Sequence, residues 1–414
     1  MGKPGLFLRR IGGIVRWIFG RGKARRLLRE LRKADVGIYV NRIVSDAVLL
    51  NQIPSPSDGE RLRMDFIMGR LADFGISNVE FDEWGNILVL FPAFGTRRDF
   101  LLVAAEVGDS DYSPLGSAVH LSDERASGQG FGETSLGAAA LLVFAEYAQA
   151  TGFHLDKNLL LVFTRSSSVD EKEEGYRHFL EIWGDRISSG IVVRGTGFGV
   201  VESRQVGSCR LSITVRTPER ELLAGPDSAA SGPSAAALLG SIAFQIGGVS
   251  WEAKEAATVN IARMESGVGY GHWPTEGTMD IEILAEEERM LATIKNVVSG
   301  TASRAAAGSA ATVEIALRSQ HSVGDSMKNA PLTDALRAIL AALKVKPEIG
   351  IISEKVAMLN DFGVPGVALG MTSGKKTADD EYVELKQLGA GFRQLLLAVE
   401  RCATMRDLKG GEGR

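Results

Sequence analysis

The feature of this 414-residue sequence that most constrains its fold is a change of hydrophobic pattern near residue 207, which reverses near residue 320. Outside this interval, short apolar runs such as 100–105 and 159–163 alternate with longer helical patterns. Continuous apolar runs are typical of strands buried on both faces, and their alternation with helices indicates parallel pairing. We therefore predict an α/β domain, formed by residues 36–206 and 321–405, with a mostly parallel sheet and helices on both faces.

Within residues 207–320 the apolar positions alternate with polar ones instead. Leu211, Ile213 and Val215 are separated by polar residues, which is typical of a half-exposed strand. Four such strands and two helices follow one another in the order β-α-β-β-α-β, which predicts an inserted ferredoxin-like α+β domain. We expect one face of its sheet to be polar and its first helix to have Ser231 as N-cap, with Pro233 in the first turn.

Charge separates the start of the chain from the rest. Residues 1–35 hold eleven Lys/Arg and two acids, a net charge of +9. Because the whole chain has a net charge of −4, the remaining residues together carry −13. Apolar residues such as Trp17 lie between the basic ones, and this pattern predicts a basic amphipathic arm that binds an anionic membrane surface; packing of the arm on the body is the alternative. We expect a flexible tail at 406–414, no nucleic-acid partner, and a cytoplasmic protein peripheral to the inner membrane face.

Cysteine usage excludes two classes of protein. The sequence has only Cys209 and Cys402, too few for a disulfide framework or a thiolate zinc site. No run of about 18 apolar residues is present, so the sequence predicts no membrane span.

Five short segments, in this order, carry a resemblance to one family. They are Asp-Glu-Trp-Gly-Asn at 82–86, the strand 101–107, the glycine-rich segment 130–139, Phe-Thr at 163–164, and the segment 369–383 that ends in Glu-Tyr-Val. Together they resemble the aminoacylase, glutamate carboxypeptidase and peptidase T family of dizinc exopeptidases, metallopeptidase family 20. The resemblance covers about residues 40–405 and implies a zinc-exopeptidase-like fold, an inserted domain that mediates homodimerisation, and hydrolysis of peptides or N-acyl amino acids.

The same resemblance implies a chemistry that the residues of this chain do not match. In such a centre, two zinc ions lower the pKa of a shared water and a glutamate moves its proton. The family's histidine, aspartate and glutamate positions are occupied here by other residues: Glu106, Gly108, Glu133, Ser167, Ser168, Arg194 and Thr377. A serine does not accept a proton near neutral pH, and the arginine is permanently cationic. The residues therefore predict neither bound zinc nor a cofactor of another kind.

A replacement for the metal charge can be proposed from the same residues. Glu106 and Glu133 would repel each other without a cation, and the Arg194 guanidinium can pair with one or both of them. Two alternatives stay open. Asp109 and Asp111 add oxygen ligands that suit magnesium, calcium or manganese, and Glu173-Glu174 could be taken for the missing glutamate pair.

The sequence therefore predicts a dizinc exopeptidase-like protein that has lost zinc binding and hydrolysis and acts as a binding or scaffold protein. A homodimer through 207–320 and a peptide-like ligand are the partners that the resemblance implies. The alternative is an active metal-dependent hydrolase of peptides or N-acyl amino acids with a rearranged site, which would hold two zinc ions.

Overall fold

The computed structural model of the chain describes residues 36–54, 59–93, 99–108, 118–153, 155–165, 174–204, 206–220, 232–248, 257–321, 323, 328–376 and 381–405. The described helices are α1 Gly37–Gln52, α2 Gly59–Asp73, α3 Leu136–Thr151, α4 Glu174–Trp183, α5 Ala235–Gly247, α6 Glu288–Ala305, α7 Ala330–Ala342, α8 Glu354–Asp361 and α9 Leu388–Thr404. The described strands are β1 Val79–Phe81, β2 Ile87–Phe91, β3 Phe100–Glu106, β4 His120–Leu121, β5 Arg125–Ser127, β6 Asn158–Thr164, β7 Ile187–Thr196, β8 Val200–Arg204, β9 Gly207–Arg216, β10 Ala257–Ser266, β11 Glu276–Ala285, β12 Thr312–His321, β13 Glu348–Ile351, β14 Gly366–Thr372, β15 Gly374–Lys376 and β16 Glu381–Glu384.

The chain divides into two compact units, Met1–Arg204 with Ser326–Arg414 and Gln205–Asp325. The first unit contains a six-stranded sheet in the order β1-β2-β6-β3-β7-β14. Its pairs β6–β3, β3–β7 and β7–β14 are parallel, whereas β1–β2 and β2–β6 are antiparallel. This is the mostly parallel sheet that the apolar runs predicted.

Helices cover this sheet on both faces. In β3, Val103 and Ala105 pack into a core with α1, α3 and α9, whereas Leu102 and Ala104 pack into a second core with α4 and α8. Side chains of successive strand residues point to opposite faces, so a strand between two helical layers must be apolar at nearly every position. The alternation of the two cores along β3 explains its continuous apolar run.

The second unit is built on a four-stranded antiparallel sheet in the order β10-β11-β9-β12, with α5 and α6 on one face. Its order along the chain is the predicted β-α-β-β-α-β. The other face is polar, because register partners such as Arg210 and Glu282 form ion pairs across it. The predicted N-cap of α5, Ser231, is wrong, and Pro233 precedes the helix instead of lying in its first turn: the N-cap is Ser234, whose backbone is extended and whose Oγ accepts a hydrogen bond from the Ala237 N–H at 3.2 Å.

Two short elements complete the first unit near the ends of the parallel strands. A small antiparallel sheet has the order β15-β16-β5-β4, and β13 pairs in parallel with β8. Among the described residues no helix is long and apolar enough to cross a membrane. The predictions for the arm 1–35 and the tail 406–414 fall outside the described residues.

Candidate functional site

The strand ends that carry the predicted site residues meet at one edge of the six-stranded sheet. We call this edge, formed by the carboxyl ends of β3, β6, β7 and β14, the carboxyl edge. Ligands of open parallel α/β sheets bind outside this end of the strands. Glu106 is the last residue of β3 and Arg194 lies in β7, and the residues just before them, Ala105 and Val193, are register partners.

Glu106 and Arg194 project from the same face of the sheet. Each follows by two residues a side chain of the core that contains α4 and α8, namely Ala104 and Val192. The period of two along a strand therefore directs both charged side chains toward the α8 side. Gly108 lies two residues beyond Glu106 and is buried.

The backbone of Glu133 is brought to the same edge by a close approach of two glycines. Glu133 lies in a π-helical turn, Phe131–Ser135, that leads into α3. A Cβ on Gly195 would lie 1.8 Å from the carbonyl oxygen of Gly132, so only glycine permits this contact between β7 and the turn. The side chain of Glu133, together with Ser167, Ser168 and Thr377, lies outside the described residues, and their predicted roles stay predictions.

Two carboxylates, one buried and one half-buried, hold the turns beneath the carboxyl edge. The Glu381 carboxylate accepts hydrogen bonds from the Gly130 and Gly132 N–H groups, each at 2.8 Å. The Asp82 carboxylate accepts from the Asn86 N–H at 2.8 Å and from the Asn86 side-chain amide at 2.6 Å. A carboxylate that accepts backbone N–H groups makes charge-assisted hydrogen bonds, which are stronger than neutral ones.

Asn86 connects three segments of the chain. Its side chain is fully buried. Its amide donates to the Gly175 carbonyl at 3.2 Å, and its Oδ1 accepts from the Arg165 N–H, directly after β6, at 2.9 Å. The Asp-x-x-Gly-Asn turn thereby fixes both ends of the segment that would carry the family's glutamate pair.

The charged side chains at the carboxyl edge form two ion pairs. Arg194 Nη1 lies 3.1 Å from Glu202 Oε1, and the Glu202 side chain is only 6% exposed. The other Glu202 oxygen accepts from the Ser353 N–H, at the start of α8, at 2.8 Å. Lys355, also in α8, places its Nζ 3.7 Å from Glu106 Oε1.

These pairs bring in partners that the sequence did not predict. We expected Arg194 to pair with Glu106, Glu133 or both; among the described side chains Glu106 pairs with Lys355 and Arg194 pairs with Glu202. The reason is that β8 and the first turn of α8 approach the edge and supply an acid and a cation. A pair of Arg194 with Glu133 lies outside what the structure describes. Neither Glu202 nor Lys355 has a local sequence signal, since each becomes a neighbour of the site only through the fold.

The described site residues do not fit the two zinc ions that the fold resemblance implies. Glu106 stands where the resemblance implies a histidine ligand, and its carboxylate faces the ammonium group of Lys355. Arg194 stands where the resemblance implies an acidic ligand, and its guanidinium forms an ion pair with the buried carboxylate of Glu202. A cation that stands at a ligand position repels a dication rather than coordinating it. Within the described ranges, no group of three or more His, Cys, Asp or Glu side chains could hold a metal ion.

Comparison with known proteins identifies the fold class. The chain has the fold of metallopeptidase family 20, as its similarity to solved structures shows over almost its whole length. Aminopeptidase PepT from Bacillus cereus is 14% identical in sequence and has a TM-score of 0.64; the match covers 88% of this chain and 99% of PepT. The YxeP protein of Bacillus subtilis, a dinuclear metal-binding peptidase of that family, has the same coverage, 15% identity and a TM-score of 0.57.

A yeast enzyme gives the same result at lower identity. The di-peptidase Dug1p from Saccharomyces cerevisiae is 11% identical in sequence and has a TM-score of 0.66; the match covers 92% of this chain and 99% of Dug1p. No family model matches the sequence, and no curated protein matches it. The fold is therefore shared with these peptidases, whereas the sequence identities are only 11–15%.

Proposed function

We propose that this chain is a non-hydrolytic binding protein with the fold of a dizinc exopeptidase. The observation that carries the proposal is the pair of cations at the carboxyl edge, Arg194 against Glu202 and Lys355 against Glu106. Two unit charges about 4 Å apart repel by about 4 kcal/mol at an effective dielectric constant of 20, and a dication doubles this value. Metal binding at this edge would have to overcome that repulsion or break both ion pairs.

The loss of a general base supports the same proposal. Where the resemblance implies a glutamate pair, the sequence has Ser167 and Ser168, and a serine hydroxyl does not take a proton from water near neutral pH. The turns below the edge keep their hydrogen bonds through Asn86 and Glu381. A fold by itself does not specify an activity. Intact turns around a site whose metal-ligand and base positions hold other residues therefore support binding rather than hydrolysis.

A peptide-like ligand is the class that we propose for this protein. The second unit has an open groove of about 1240 Å³ at the end of the β10–β11 hairpin, lined among others by Arg220, His272 and Trp273. The Arg220 guanidinium lies 5.2 Å from the centre of the Trp273 ring. Such a groove offers both a flat aromatic surface and hydrogen-bond donors. The homodimer and the membrane contact of the arm stay predictions.

The test is a hydrolysis screen of the full-length protein. Dipeptides, tripeptides and N-acyl amino acids are incubated with the chain in the presence of zinc, cobalt or manganese. We expect no release of amino acids above that of a Glu133→Gln variant. EDTA-sensitive turnover that the Glu133→Gln substitution abolishes would establish the alternative, an active hydrolase with a rearranged site.

A further inference from the structure

The turn between β10 and β11 in the second unit presents apolar side chains to solvent. Val268 is 86% exposed in this turn, and Tyr270 is fully exposed. Gly267, Gly269 and Gly271 alternate with them and have φ values of +78°, +144° and +83°. Glycine adopts these backbone conformations readily, so the sequence permits a turn whose apolar side chains stay outside the core. Neighbouring apolar side chains exposed on a surface are typical of an interaction site.

The groove beside this turn has the size of a peptide-binding site. It lies between the segment 217–220, directly after β9, and the β10–β11 hairpin, and Val268 is part of its lining. We call it the hairpin groove. Its volume of about 1240 Å³ exceeds the range of about 300–1,000 Å³ that is usual for small-molecule pockets. An open groove of this size accommodates several residues of a polypeptide.

One cation of the hairpin groove has no acid to pair with among the described residues. Two acids of the lining, Glu265 and Glu276, each form an ion pair with an arginine of β9 or β10. Arg220 forms no ion pair with a described residue, and its guanidinium lies 5.2 Å from the centre of the Trp273 ring. Glu219, the remaining acid of the lining, is exposed and also unpaired within the described ranges. An acidic ligand can therefore reach Arg220 without breaking an ion pair.

The contact of Arg220 with Trp273 favours a carboxylate as the group that binds there. A guanidinium placed over an aromatic ring keeps the N–H groups at its edge available, and two of them match the two oxygens of a carboxylate. Tryptophan, tyrosine and arginine are also the residues that contribute most to protein–protein binding energies. Arg220, Trp273 and Tyr270 supply all three types at one end of the same sheet. This combination fits a partner that has an acidic side chain close to an apolar or aromatic one.

We propose that the hairpin groove docks a short segment of a partner protein, in which an aspartate or glutamate binds Arg220 and a neighbouring aromatic or aliphatic side chain packs against Val268 and Tyr270. The proposal rests on the proposed function, because it specifies the peptide-like ligand of this protein. Glu219 lines the same groove, so its negative charge opposes the binding of an acid. Neutralising Glu219 should strengthen binding, whereas neutralising Arg220 should weaken it.

A synthetic library of short random peptides, with acetylated and amidated ends, tests the proposal on the full-length protein. Blocking the ends removes the terminal carboxylate, so any acid that is selected is a side chain. We expect the bound peptides to be enriched in aspartate or glutamate next to an aromatic or aliphatic residue. For the peptide bound most tightly, Arg220→Gln should raise the Kd about tenfold or more, as for a central arginine of an interface. Glu219→Gln should lower the Kd about twofold or more, because a like charge is removed.

The matched control is Arg318→Gln, which removes an exposed arginine of β12 outside the groove lining and should leave the Kd unchanged. Circular dichroism checks that each variant is folded. The proposal would be overturned by the absence of bound peptides, by selected peptides without acids, or by an Arg220→Gln variant that binds as tightly as the unchanged protein. Self-association of the protein that Arg220→Gln abolishes would also overturn it, because the groove would then hold a second copy of this chain.

Mass spectrometry of the recovered peptide tests the proposed function separately. An intact peptide supports a non-hydrolytic binding protein, and a cleaved peptide contradicts it. Dependence of the Kd on Arg220 supports the docking surface in either case, so the two proposals fail by different observations.

Discussion

The turns below the carboxyl edge and the side chains at the strand ends of the same edge behave differently. The turns are held by buried groups that bond to the backbone, as Glu381 does with Gly130 and Gly132. The strand ends instead present ion pairs, Arg194 with Glu202 and Glu106 with Lys355. The scaffold of this fold therefore depends on backbone geometry, whereas its chemistry depends on a few side chains at the strand ends, which can differ while the scaffold stays the same.

The largest effect on stability is expected at Gly195, where the backbone leaves no room for a side chain. We expect Gly195→Ala to destabilise the protein by more than about 4 kcal/mol or to prevent folding, because the new methyl group would meet the Gly132 carbonyl at 1.8 Å. Gly69→Ala in α2 is the matched control: a Cβ there meets nothing within 4 Å, so the change should be neutral or stabilising by up to about 1 kcal/mol. Urea unfolding measures both. A Gly195→Ala protein of normal stability would contradict the close approach.

A smaller but still large effect is expected at Asn86. Asn86→Ala removes the hydrogen bonds to Gly175 and Arg165 as well as the one to Asp82, and leaves their partners buried or half-buried. We expect a loss of about 2–4 kcal/mol in the free energy of unfolding. Asn78→Ala, at an exposed position before β1, should change it by less than about 0.5 kcal/mol. Equal effects of the two variants would show that the turn does not support the scaffold.

At the strand ends the expected effect is intermediate and depends on the partner. Arg194→Ala leaves the buried Glu202 carboxylate without its cation and should cost about 1–3 kcal/mol; breaking a fully buried pair costs about 3–5, and Arg194 is 38% exposed. The double variant Arg194→Ala with Glu202→Gln should recover part of this loss, because no unpaired buried charge is left. A double variant that is less stable than the single one would contradict the account of this pair.

The smallest effect is expected on the polar face of the second unit. Arg216 pairs with Glu276 and Glu314 on neighbouring strands, and all three side chains are more than half exposed. Exposed ion pairs contribute little to stability, so Arg216→Ala should leave the unfolding midpoint within experimental error. A clear loss of stability would mean that this face is covered in the protein as it exists in solution.

Local patterns were enough to predict most elements but not their partners. The alternation of Met279, Ile281 and Ile283 with acids marks β11 because one of its faces is buried, and this property is visible along the sequence. By contrast, the apolar run 191–193 predicts a short strand, but β7 begins earlier, at Ile187. Its polar residue Ser188 accepts a hydrogen bond at 2.8 Å from the buried Lys157 ammonium. That bond joins distant segments and leaves no local signal.

The candidate site shows the same limit. The placement of Glu106 at the end of a buried strand could be predicted from the apolar run 100–105, and Arg194 directly follows the apolar run 191–193 in the same way. Their partners could not, since Glu202 and Lys355 reach the edge from β8 and α8 through tertiary packing. The hairpin β4–β5 was also missed, because strands of two and three residues are too short to show a period.

Zinc stoichiometry tests the central claim most directly. The purified protein is incubated with excess zinc, passed through a desalting column, and analysed for metal per chain. The ion pairs at the carboxyl edge predict that no zinc is retained above the level of a protein without a zinc site. Retention of about two zinc ions per chain would contradict the account and favour the alternative, an active metal-dependent hydrolase.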